Sequence, residues 1–405
     1  MTGFPRGACK FVVWTPLIPY CPSRGEKAGV SRNAGRKVIM NADFKIVRAE
    51  PLTGFCQSVF EKLAIPPQDA FIVADVLVAA DLRGIDSHGV ARLRRYYTGL
   101  KNGMMVARPE IKVVKETPIT ALIDAGGALG QMAGIRGMRM AIEKALKNGA
   151  GFVAVGNSNH YGIAGYYSLM ARKDDLIGIS LTNSDAYVVP TFGKEVMLGT
   201  NPISVTVPTL HERAFVLDMS TAVATLGKME VASRMGEKIP PGWATDENGR
   251  SCDDPSRVIS NIRSKAGGGI LPLGGEGEEF GGHKGYGLDL LVDILCGVLS
   301  GSGYLNLLYP KTPEGKPLPS KVGHFFGALR IDYFRQPEEF KRDMDDLIRR
   351  LKNSAKAEGQ KRVFIHGEKE FECEERYRRE GIPLYYKVYE DLKAIGGEVG
   401  VPFSL

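Results

Sequence analysis

The sequence predicts an α/β protein with α+β character, in which strands and helices interleave between two helical ends. Apolar residues recur at helical spacing from residue 52, four β-rich runs follow between residues 152 and 217, and helical periodicity returns after residue 338. Such an order of elements is typical of a mixed fold built on a sheet.

The N-terminal helices are the first elements that the pattern predicts. The first begins near residue 52 and ends before Pro66-Pro67, the second spans Ala70 to Leu82, and the third spans Val90 to Lys101. Gly84 gives the second helix a C-terminal stop signal. Its inward-facing residues are predicted to be Phe71, Ala74, Val76, Leu77 and Ala80.

The middle and the C-terminal parts of the chain alternate between helical and β-rich sequence patterns. An amphipathic helix over 135–147 precedes the β-rich runs, and a glycine-dense segment over 266–287 leads into an apolar helix over 288–299. We interpret that helix as buried, because it is too short and too charged to span a membrane. The remaining predictions are strands at 152–155, 177–181, 203–207 and 215–217, an exposed loop at 309–320, and helices at 338–357 and 384–395.

Charge is distributed unevenly along the 405 residues. Residues 1–40 contain seven basic residues and one acidic residue, so they carry +6 of the net charge of +7. The rest of the chain is nearly neutral, which argues against a nucleic-acid partner, and no apolar run is long enough for a membrane partner.

The extension over residues 1–40 allows three interpretations: a disordered tail, a transit peptide, or a start codon upstream of the true one. We favour the third, with Met40 as the start. The six cysteines are scattered, form no CxxC pair and follow no secretory signal. We therefore expect a reduced, cytoplasmic protein.

Three of the six histidines lie among small, turn-forming residues: His88, His160 and His283. Glycine lets a backbone approach a ligand closely, and imidazole titrates near neutral pH. Each histidine is a candidate acid, base or ligand-binding group, and the alternative for each is a turn histidine bonded to its own backbone. No HxxxH or HxH spacing is present, so we expect no metal site.

Arg92 lies four residues after His88. A helix from Gly89 would place the two side chains on one face, where the guanidinium could clamp a carboxylate while the imidazole exchanges a proton with an adjacent alkoxide. Arg92 could equally be a surface residue, and Arg94 and Arg95 are interpreted as solvated.

Gly282-His283-Lys284-Gly285 precedes a helix and could cradle a phosphate. GxxxxGK[ST] and the Rossmann GxGxxG are both absent, so a nicotinamide cofactor would need a different fold. Asp218-Met219-Ser220-Thr221 ends a strand, a position that suits a ligand or a helix cap, and Gly199-Thr200-Asn201-Pro202 could be a ligand loop or a turn.

Together these segments resemble the malate/L-lactate dehydrogenase family of the second type over residues 42–395. The resemblance rests on motifs that are weak alone and specific in their order: Arg83-Gly84-Ile85-Asp86-Ser87-His88-Gly89-Val90 with Arg92, Asn159-His160-Tyr161-Gly162, Ser184-Asp185, Gly199-Thr200-Asn201-Pro202, Asp218-Met219-Ser220-Thr221, Gly227-Lys228 and Lys284-Gly285-Tyr286-Gly287.

The resemblance implies a non-Rossmann cofactor domain with a largely antiparallel sheet, beside a helical domain formed by both chain ends, in a homodimer. We place the cofactor domain at 121–284 and the helical domain at 41–120 and 285–405. The resemblance also implies NAD or NADP binding by Ser184, Thr200, Asn201, Asp218, Met219, Ser220, His283, Lys284 and Gly285. Leu226 replaces a basic residue of many relatives and leaves the choice between NAD and NADP open.

We therefore expect hydride transfer between a nicotinamide and C2 of a small 2-hydroxy or 2-oxo acid of the malate or L-lactate type. Arg92 would hold the carboxylate, Ser87 would hydrogen-bond the substrate, and His88 or His160 would move the proton. The alternatives are a reductase of cyclic imino acids or sugar 2-oxo acids, and a silent dinucleotide-binding homologue. A hydrolase with Ser87 as nucleophile is disfavoured, because no GxSxG elbow exists.

Overall fold

The computed structural model describes residues 43–405, so the predictions for residues 1–40 lie outside the described part of the chain. No helix within residues 43–405 is long and apolar enough to cross a membrane. The described helices are α1 Ala49–Lys62, α2 Pro67–Leu82, α3 Leu93–Lys101, α4 Gly130–Asn148, α5 Ala164–Met170, α6 Leu226–Met235, α7 Pro255–Ser264, α8 Gly282–Asp293, α9 Pro337–Asn353, α10 Glu368–Glu380 and α11 Tyr386–Val399. The described strands are β1 Phe44–Val47, β2 Lys112–Glu116, β3 Thr120–Asp124, β4 Ala150–Ser158, β5 Leu176–Thr182, β6 Ile203–Val207, β7 Phe215–Met219, β8 Val322–Arg330 and β9 Ile382–Tyr385.

Seven of the strands form one sheet in the order β2-β3-β4-β8-β5-β6-β7. Within it β3 and β4 pair in parallel, and every other neighbouring pair is antiparallel. The predicted non-Rossmann, largely antiparallel sheet is confirmed. Strands β2 and β8 come from outside residues 121–284, and the division of the chain into two domains stays a prediction.

The two ends of the described chain meet in a helical layer. Strands β1 and β9 form a two-stranded antiparallel sheet in which Phe44 pairs with Tyr385. Helices α1, α2, α3 and α11 enclose one apolar core, which includes Leu52, Phe60, Leu77 and Leu392. A second core, which includes Val155 and Phe326, packs α4 and α5 against the large sheet. A helical part built from both chain ends is therefore confirmed.

Helix α2 begins earlier than predicted, at Pro67. A proline fits the first turn of a helix because the amide that it lacks would have no partner there. The predicted inward position of Phe71 is wrong, since its side chain is 49% exposed. Helix α10 escaped prediction because it is mostly charged, with few buried residues to give it a helical period.

The helix predicted over 288–299 differs from the structure in extent and in burial. Helix α8 begins at Gly282 and continues after Asp293 as a π-helical turn over Ile294–Val298. The predicted burial is wrong: Leu291 is 47% exposed, Val298 57% and Leu299 55%. The inward face instead buries Asp289 and Asp293 beside Val292 and Cys296. Helix α8 therefore carries an apolar outer face.

Candidate active site

The Asp86–Gly89 segment forms a tight turn between α2 and α3. Two short 3-10 turns, Asp86–His88 and Val90–Arg92, replace the continuous helix that was expected from Gly89. Buried Asp81 of α2 organises this turn by accepting a hydrogen bond of 2.8 Å from the Val90 amide. A side chain at Gly89 would collide with the same carboxylate, which explains the glycine of the motif.

The turn brings Ser87, His88 and Arg92 together. The Ser87 hydroxyl lies 2.9 Å from Nδ1 of His88, and Nε of Arg92 donates to the Ser87 carbonyl at 2.6 Å. The terminal guanidinium nitrogens of Arg92 have no hydrogen-bond or ion-pair partner in residues 43–405. Arg92 is therefore anchored through Nε, and the edge formed by its two terminal nitrogens is unpaired, an arrangement that could bind a carboxylate.

His160 follows β4 and lies against His88. The two imidazole rings are stacked, with centroids 5.5 Å apart. Nδ1 of His160 lies 2.6 Å from the hydroxyl of buried Tyr96, while Nε2 of each of the two histidines has no hydrogen-bond partner within the described chain. The structure thus brings together two histidines that are 72 residues apart in the sequence.

Both histidines are neutral near pH 7. Burial, followed by the charges of Arg92 and Arg95, lowers the pKa of His88 to about 4. Burial and then the charge of Arg95 hold the pKa of His160 well below its usual range. A neutral imidazole offers one lone pair, so either histidine can accept a proton from a hydroxyl group.

The interpretation of Arg95 as a solvated residue is wrong. Arg95 lies 3.5 Å from Asp185 and donates a hydrogen bond of 2.9 Å to the Tyr309 hydroxyl. Arg94 instead pairs with Asp391 and with Glu398, both on α11. The Arg95 pair places the His88 turn next to the loop that follows β5, while Arg94 fastens α3 to α11.

Four predicted cofactor residues form one hydrogen-bond network at the ends of β5, β6 and β7. The amide of Ser184 donates to Oδ1 of Asn201 at 3.0 Å, and the amide of Thr200 donates to the Ser184 hydroxyl at 2.9 Å. The Ser220 hydroxyl donates to the Thr200 carbonyl at 2.9 Å. Ser184 is adjacent in sequence to Asp185, so this network adjoins the histidine pocket.

Asp218 and Met219 end strand β7 beside this network. One Asp218 oxygen accepts a hydrogen bond of 2.7 Å from the Gly165 amide. Although Asp218 is exposed at the end of β7, the protein atoms that crowd its carboxyl group raise its pKa to about 6, against the lowering effect of that amide. Met219 is half-buried within β7, where it pairs with Ile203.

Helix α8 begins beside the same network. The Leu273 amide donates to the Thr221 carbonyl at 2.7 Å, which seats the glycine-dense segment next to Ser220. A side chain at Gly285 would collide with the Leu273 carbonyl. His283 and Lys284 are exposed in the first turn of α8, and Lys284 has no ion-pair partner in the part of the chain that the structure describes.

Asp289 lies beneath this network on the inner face of α8. Its carboxyl group is fully buried and has no hydrogen-bond partner of good geometry within the described residues. Asn201 reaches α8 through a 3.3 Å hydrogen bond to the Asp289 carbonyl. Burial, and then the charge of Asp293, raise the pKa of Asp289 to about 8, so the group is mostly protonated at neutral pH.

These residues fit a nicotinamide dinucleotide. A diphosphate needs an uncompensated cation and a backbone that it can approach closely, which Lys284 and the glycines of the α8 N-terminus provide. Ribose and amide groups need hydrogen-bonding partners such as the hydroxyls of Ser184, Thr200 and Ser220.

The sequence motifs did not identify Tyr96, Arg95, Tyr309 or Asp289 as part of this region. Helical spacing could have found two of them, because Arg95 and Tyr96 follow Arg92 by three and four positions. Tyr309 and Asp289 carry no such signal, since long-range folding alone brings their segments to the pocket. Among residues 43–405, no group of three His, Cys, Asp or Glu side chains is arranged to hold a metal ion.

A stacked pair of neutral histidines, an arginine with an unpaired guanidinium edge and adjoining residues that fit a dinucleotide suit one class of protein: an NAD(P)-dependent 2-hydroxy-acid dehydrogenase. The chain belongs to the malate/L-lactate dehydrogenase family, whose profile matches residues 47–393. The resemblance seen in the motifs is thereby confirmed.

Individual relatives agree with this assignment. The chain is 47% identical to a malate dehydrogenase of Pyrococcus abyssi over 365 residues, which is 90% of this chain and 98% of that protein. It is 40% identical to an L-sulfolactate dehydrogenase of Methanocaldococcus jannaschii, with 85% of this chain and 94% of the relative covered. The solved structure of malate dehydrogenase from Pyrococcus horikoshii superposes with a TM-score of 0.80 at 42% identity and covers 92% of this chain and 99% of its own.

Proposed function

We propose that this enzyme interconverts a dianionic 2-hydroxy acid of the malate or sulfolactate type and its 2-oxo acid, with NAD or NADP. The observation that carries the proposal is the pairing of two neutral histidines, each with a free Nε2, beside the unpaired guanidinium edge of Arg92. The names of the malate and sulfolactate dehydrogenases support a substrate with a second acidic group next to the hydroxy-acid unit.

Arg92 binds the C1 carboxylate of the substrate in this proposal. Its Nε is already committed to the Ser87 carbonyl, which orients the plane of the guanidinium and leaves its far edge for a paired contact with two carboxylate oxygens. Arg95 lies nearby, and its charge is only partly offset by Asp185 at 3.5 Å. The pocket therefore favours an anionic substrate, and Ser87 offers an exposed hydroxyl as a further hydrogen-bonding partner.

His160 accepts the proton of the substrate hydroxyl during oxidation and returns it during reduction. We favour His160 over His88 because its far nitrogen is fixed by a buried tyrosine, whereas His88 contacts the exposed, freely rotating Ser87 hydroxyl. His88 lies stacked beside it and is the alternative acceptor of the same proton. A low pKa makes the protonated histidine a strong acid, which suits protonation of an alkoxide.

The residues that would hold the cofactor are Ser184, Thr200, Asn201, Asp218, Met219, Ser220, His283, Lys284 and Gly285. A bound nicotinamide supplies the acceptor or donor of the hydride at C2 of the substrate. The protein contributes position and charge: the Arg95–Asp185 pair fixes the histidine turn against the loop that carries Ser184.

The proposal includes a homodimer that covers the outer face of α8. Leu291, Ile294, Val298 and Leu299 form this apolar face, and a face of this kind on a helix is typical of an interface between subunits. The partner is a second copy of the chain, so each copy contributes the same face. The four described cysteines are free and buried, which supports a reducing compartment such as the cytoplasm.

A substrate panel tests the activity. NADH or NADPH oxidation is followed with oxaloacetate, sulfopyruvate, pyruvate and a cyclic imino acid, and we expect the highest kcat/KM with one of the two dianions. Arg92→Gln should lower kcat/KM by about 10- to 100-fold, as expected for the loss of a charged hydrogen bond, while Arg94→Gln serves as the control. Dinucleotide binding without turnover of any 2-oxo acid would contradict the proposal. A preference for the cyclic imino acid would show that the enzyme is a cyclic-imine reductase and would contradict the proposed substrate.

A further inference from the structure

His324 lies at the centre of the large sheet, on strand β8 between β4 and β5, and it is completely buried. Its partners in the strand register are Val155 on β4 and Thr182 on β5. The regular pairing of β4 with β8 is interrupted between Val155 and Ser158. The end of β4 therefore has fewer main-chain contacts to fix it, and side-chain contacts gain importance there.

The His324 ring makes three close contacts, which together engage both of its nitrogens and one of its faces. Nε2 lies 2.8 Å from the Ser158 hydroxyl, and Nδ1 lies 2.8 Å from the Thr182 hydroxyl. The ring of Tyr161 is stacked on it, with centroids 4.6 Å apart. Ser158 is completely buried, and its hydroxyl has no other hydrogen-bond partner among residues 43–405.

These contacts lie beside two residues of the proposed site. Ser158 precedes His160 by two positions, and Tyr161 follows His160 directly. Thr182 precedes Ser184 by two positions as well. One imidazole ring therefore contacts both flanks of the proton-transfer residue, and its other nitrogen contacts the start of the segment that carries a cofactor residue.

His324 stays neutral near pH 7, which separates its role from that of an acid or a base. Burial lowers its pKa to about 3, against the raising effect of the Asn159 backbone. A neutral imidazole has one donor and one acceptor, and a hydroxyl can serve as either, so both hydroxyl contacts can be hydrogen bonds at once. Because both nitrogens are engaged, the ring has none left to exchange a proton with a substrate.

We propose that His324 is a positioning residue that fixes the separation between the His160 segment (residues 158–161) and the Ser184 segment (residues 182–185). This role rests on the proposed functions of His160 and Ser184. His324 acts only through the three side chains that it contacts. Because reaction rates depend steeply on the placement of the reacting groups, a small change in this separation should slow the reaction without weakening dinucleotide binding.

Kinetics of His324→Gln test this role. Glutamine keeps a polar group for the hydroxyls but loses the flat ring, and we expect kcat to fall at least about tenfold in both directions, with the dinucleotide Kd unchanged. The full primary isotope effect of a nicotinamide deuterated at C4 should then be expressed, because hydride transfer limits the rate. Ser158→Ala should reproduce part of the loss, and Thr182→Ser, which keeps its hydroxyl, should retain more activity than Thr182→Val.

Ser168→Ala is the matched control. The Ser168 hydroxyl is also completely buried and lies 2.8 Å from the hydroxyls of Ser204 and Thr206, but all of its contacts are within α5 and β6. This variant should lose stability without losing kcat. A fall in kcat as large as that of Ser158→Ala would show that the loss of any buried hydroxyl slows the enzyme, and it would overturn the proposal. An unchanged kcat in His324→Gln would overturn it as well.

Amide hydrogen exchange keeps the test independent of turnover. Exchange over residues 158–161 and 182–185 should be faster in His324→Gln than in the unaltered protein, and unchanged in the control variant. Faster exchange in both segments supports the positioning role even if the substrate panel shows no turnover, and equal exchange overturns it even if the panel succeeds. If His324→Gln does not fold, Ser158→Ala and Thr182→Val provide the same measurement, each on one side of the ring.

Discussion

Asp185 lies 3.5 Å from the Arg95 guanidinium, and this ion pair joins the helix that follows Arg92 to the loop that carries Ser184. Each side chain is only 29% exposed, and the Tyr309 hydroxyl completes the contact. The substrate and cofactor halves of the proposed site are therefore held against each other by charge rather than by a shared strand or helix.

Removal of Arg95 should disturb this arrangement. In Arg95→Gln the Asp185 carboxylate loses its partner and repels an anionic substrate, so we expect kcat/KM for the 2-oxo acid to fall at least about tenfold, mainly through KM. Arg95→Gln/Asp185→Asn should recover part of the loss. Arg94→Gln is the matched control and should change kcat/KM less than twofold, because its exposed pairs with α11 contribute about 0–1 kcal/mol. An effect of Arg94→Gln as large as that of Arg95→Gln would refute this assignment.

The lowered histidine pKa values predict opposite pH profiles for the two directions. The pKa of His88 is about 4 and that of His160 is well below its usual range, so the free enzyme holds both rings neutral above pH 6. Oxidation needs the neutral base, so its kcat/KM should stay level between pH 6 and pH 8. Reduction needs the protonated acid, so its kcat/KM should fall about tenfold per pH unit over the same range. Initial rates in both directions measure this, and a histidine-dependent rise in oxidation centred near pH 7 would contradict it.

Gly285 and Gly287, both on α8, allow a controlled test of the proposed cofactor site. Gly285→Ala places a methyl group against the Leu273 carbonyl and should displace the start of α8, with at least a tenfold loss of dinucleotide affinity by fluorescence titration. Gly287→Ala meets no atom within 4 Å, so it should bind dinucleotide normally and gain about 0.5–1 kcal/mol of stability from helix propensity. Equal dinucleotide affinities in the two variants would show that the start of α8 is not part of the cofactor site.

The raised pKa of Asp289 predicts that the free energy of unfolding decreases as the pH rises. Its pKa is raised to about 8 in the folded protein, so between its unfolded value and pH 8 the folded state binds the extra proton. Stability therefore falls as pH rises through that window, by at most about 1.4 kcal/mol per unit. Asp289→Asn removes the ionisation and should raise the melting temperature more at pH 8 than at pH 5. Thermal unfolding at both values measures this, and an equal shift at the two would show that Asp289 is not protonated in the fold.

The apolar outer face of α8 predicts the effect of charge on assembly. Leu291→Glu/Val298→Glu should convert the proposed dimer to a monomer in sedimentation analysis, because the two new charges would have to be buried without partners. Phe71→Glu, at an exposed phenylalanine on α2, is the control and should leave the oligomeric state unchanged. A dimer that survives both α8 substitutions would place the interface elsewhere.

Much of the fold could be predicted because its elements carry local signals. Helices α1 and α2 have apolar residues at helical spacing and prolines at their boundary, and β6 was predicted with its observed bounds. Strand β8 lies at the centre of the sheet but is not predicted, because its apolar and polar residues do not alternate. The burial predicted for 288–299 is wrong because an apolar sequence identifies a hydrophobic surface without identifying what covers it.

The sequence by itself determined the family, the His88 turn and the glycines around Lys284, because these depend on short motifs and on their order. The tertiary structure decided which charged residues meet. Arg95 reads as one of several surface arginines until the β5 loop brings Asp185 to it. Gln131 lies before the helix predicted over 135–147, and only the fold places it in α4 and buries it. Ion pairing and desolvation depend on distances between segments far apart in the chain, which no local pattern encodes.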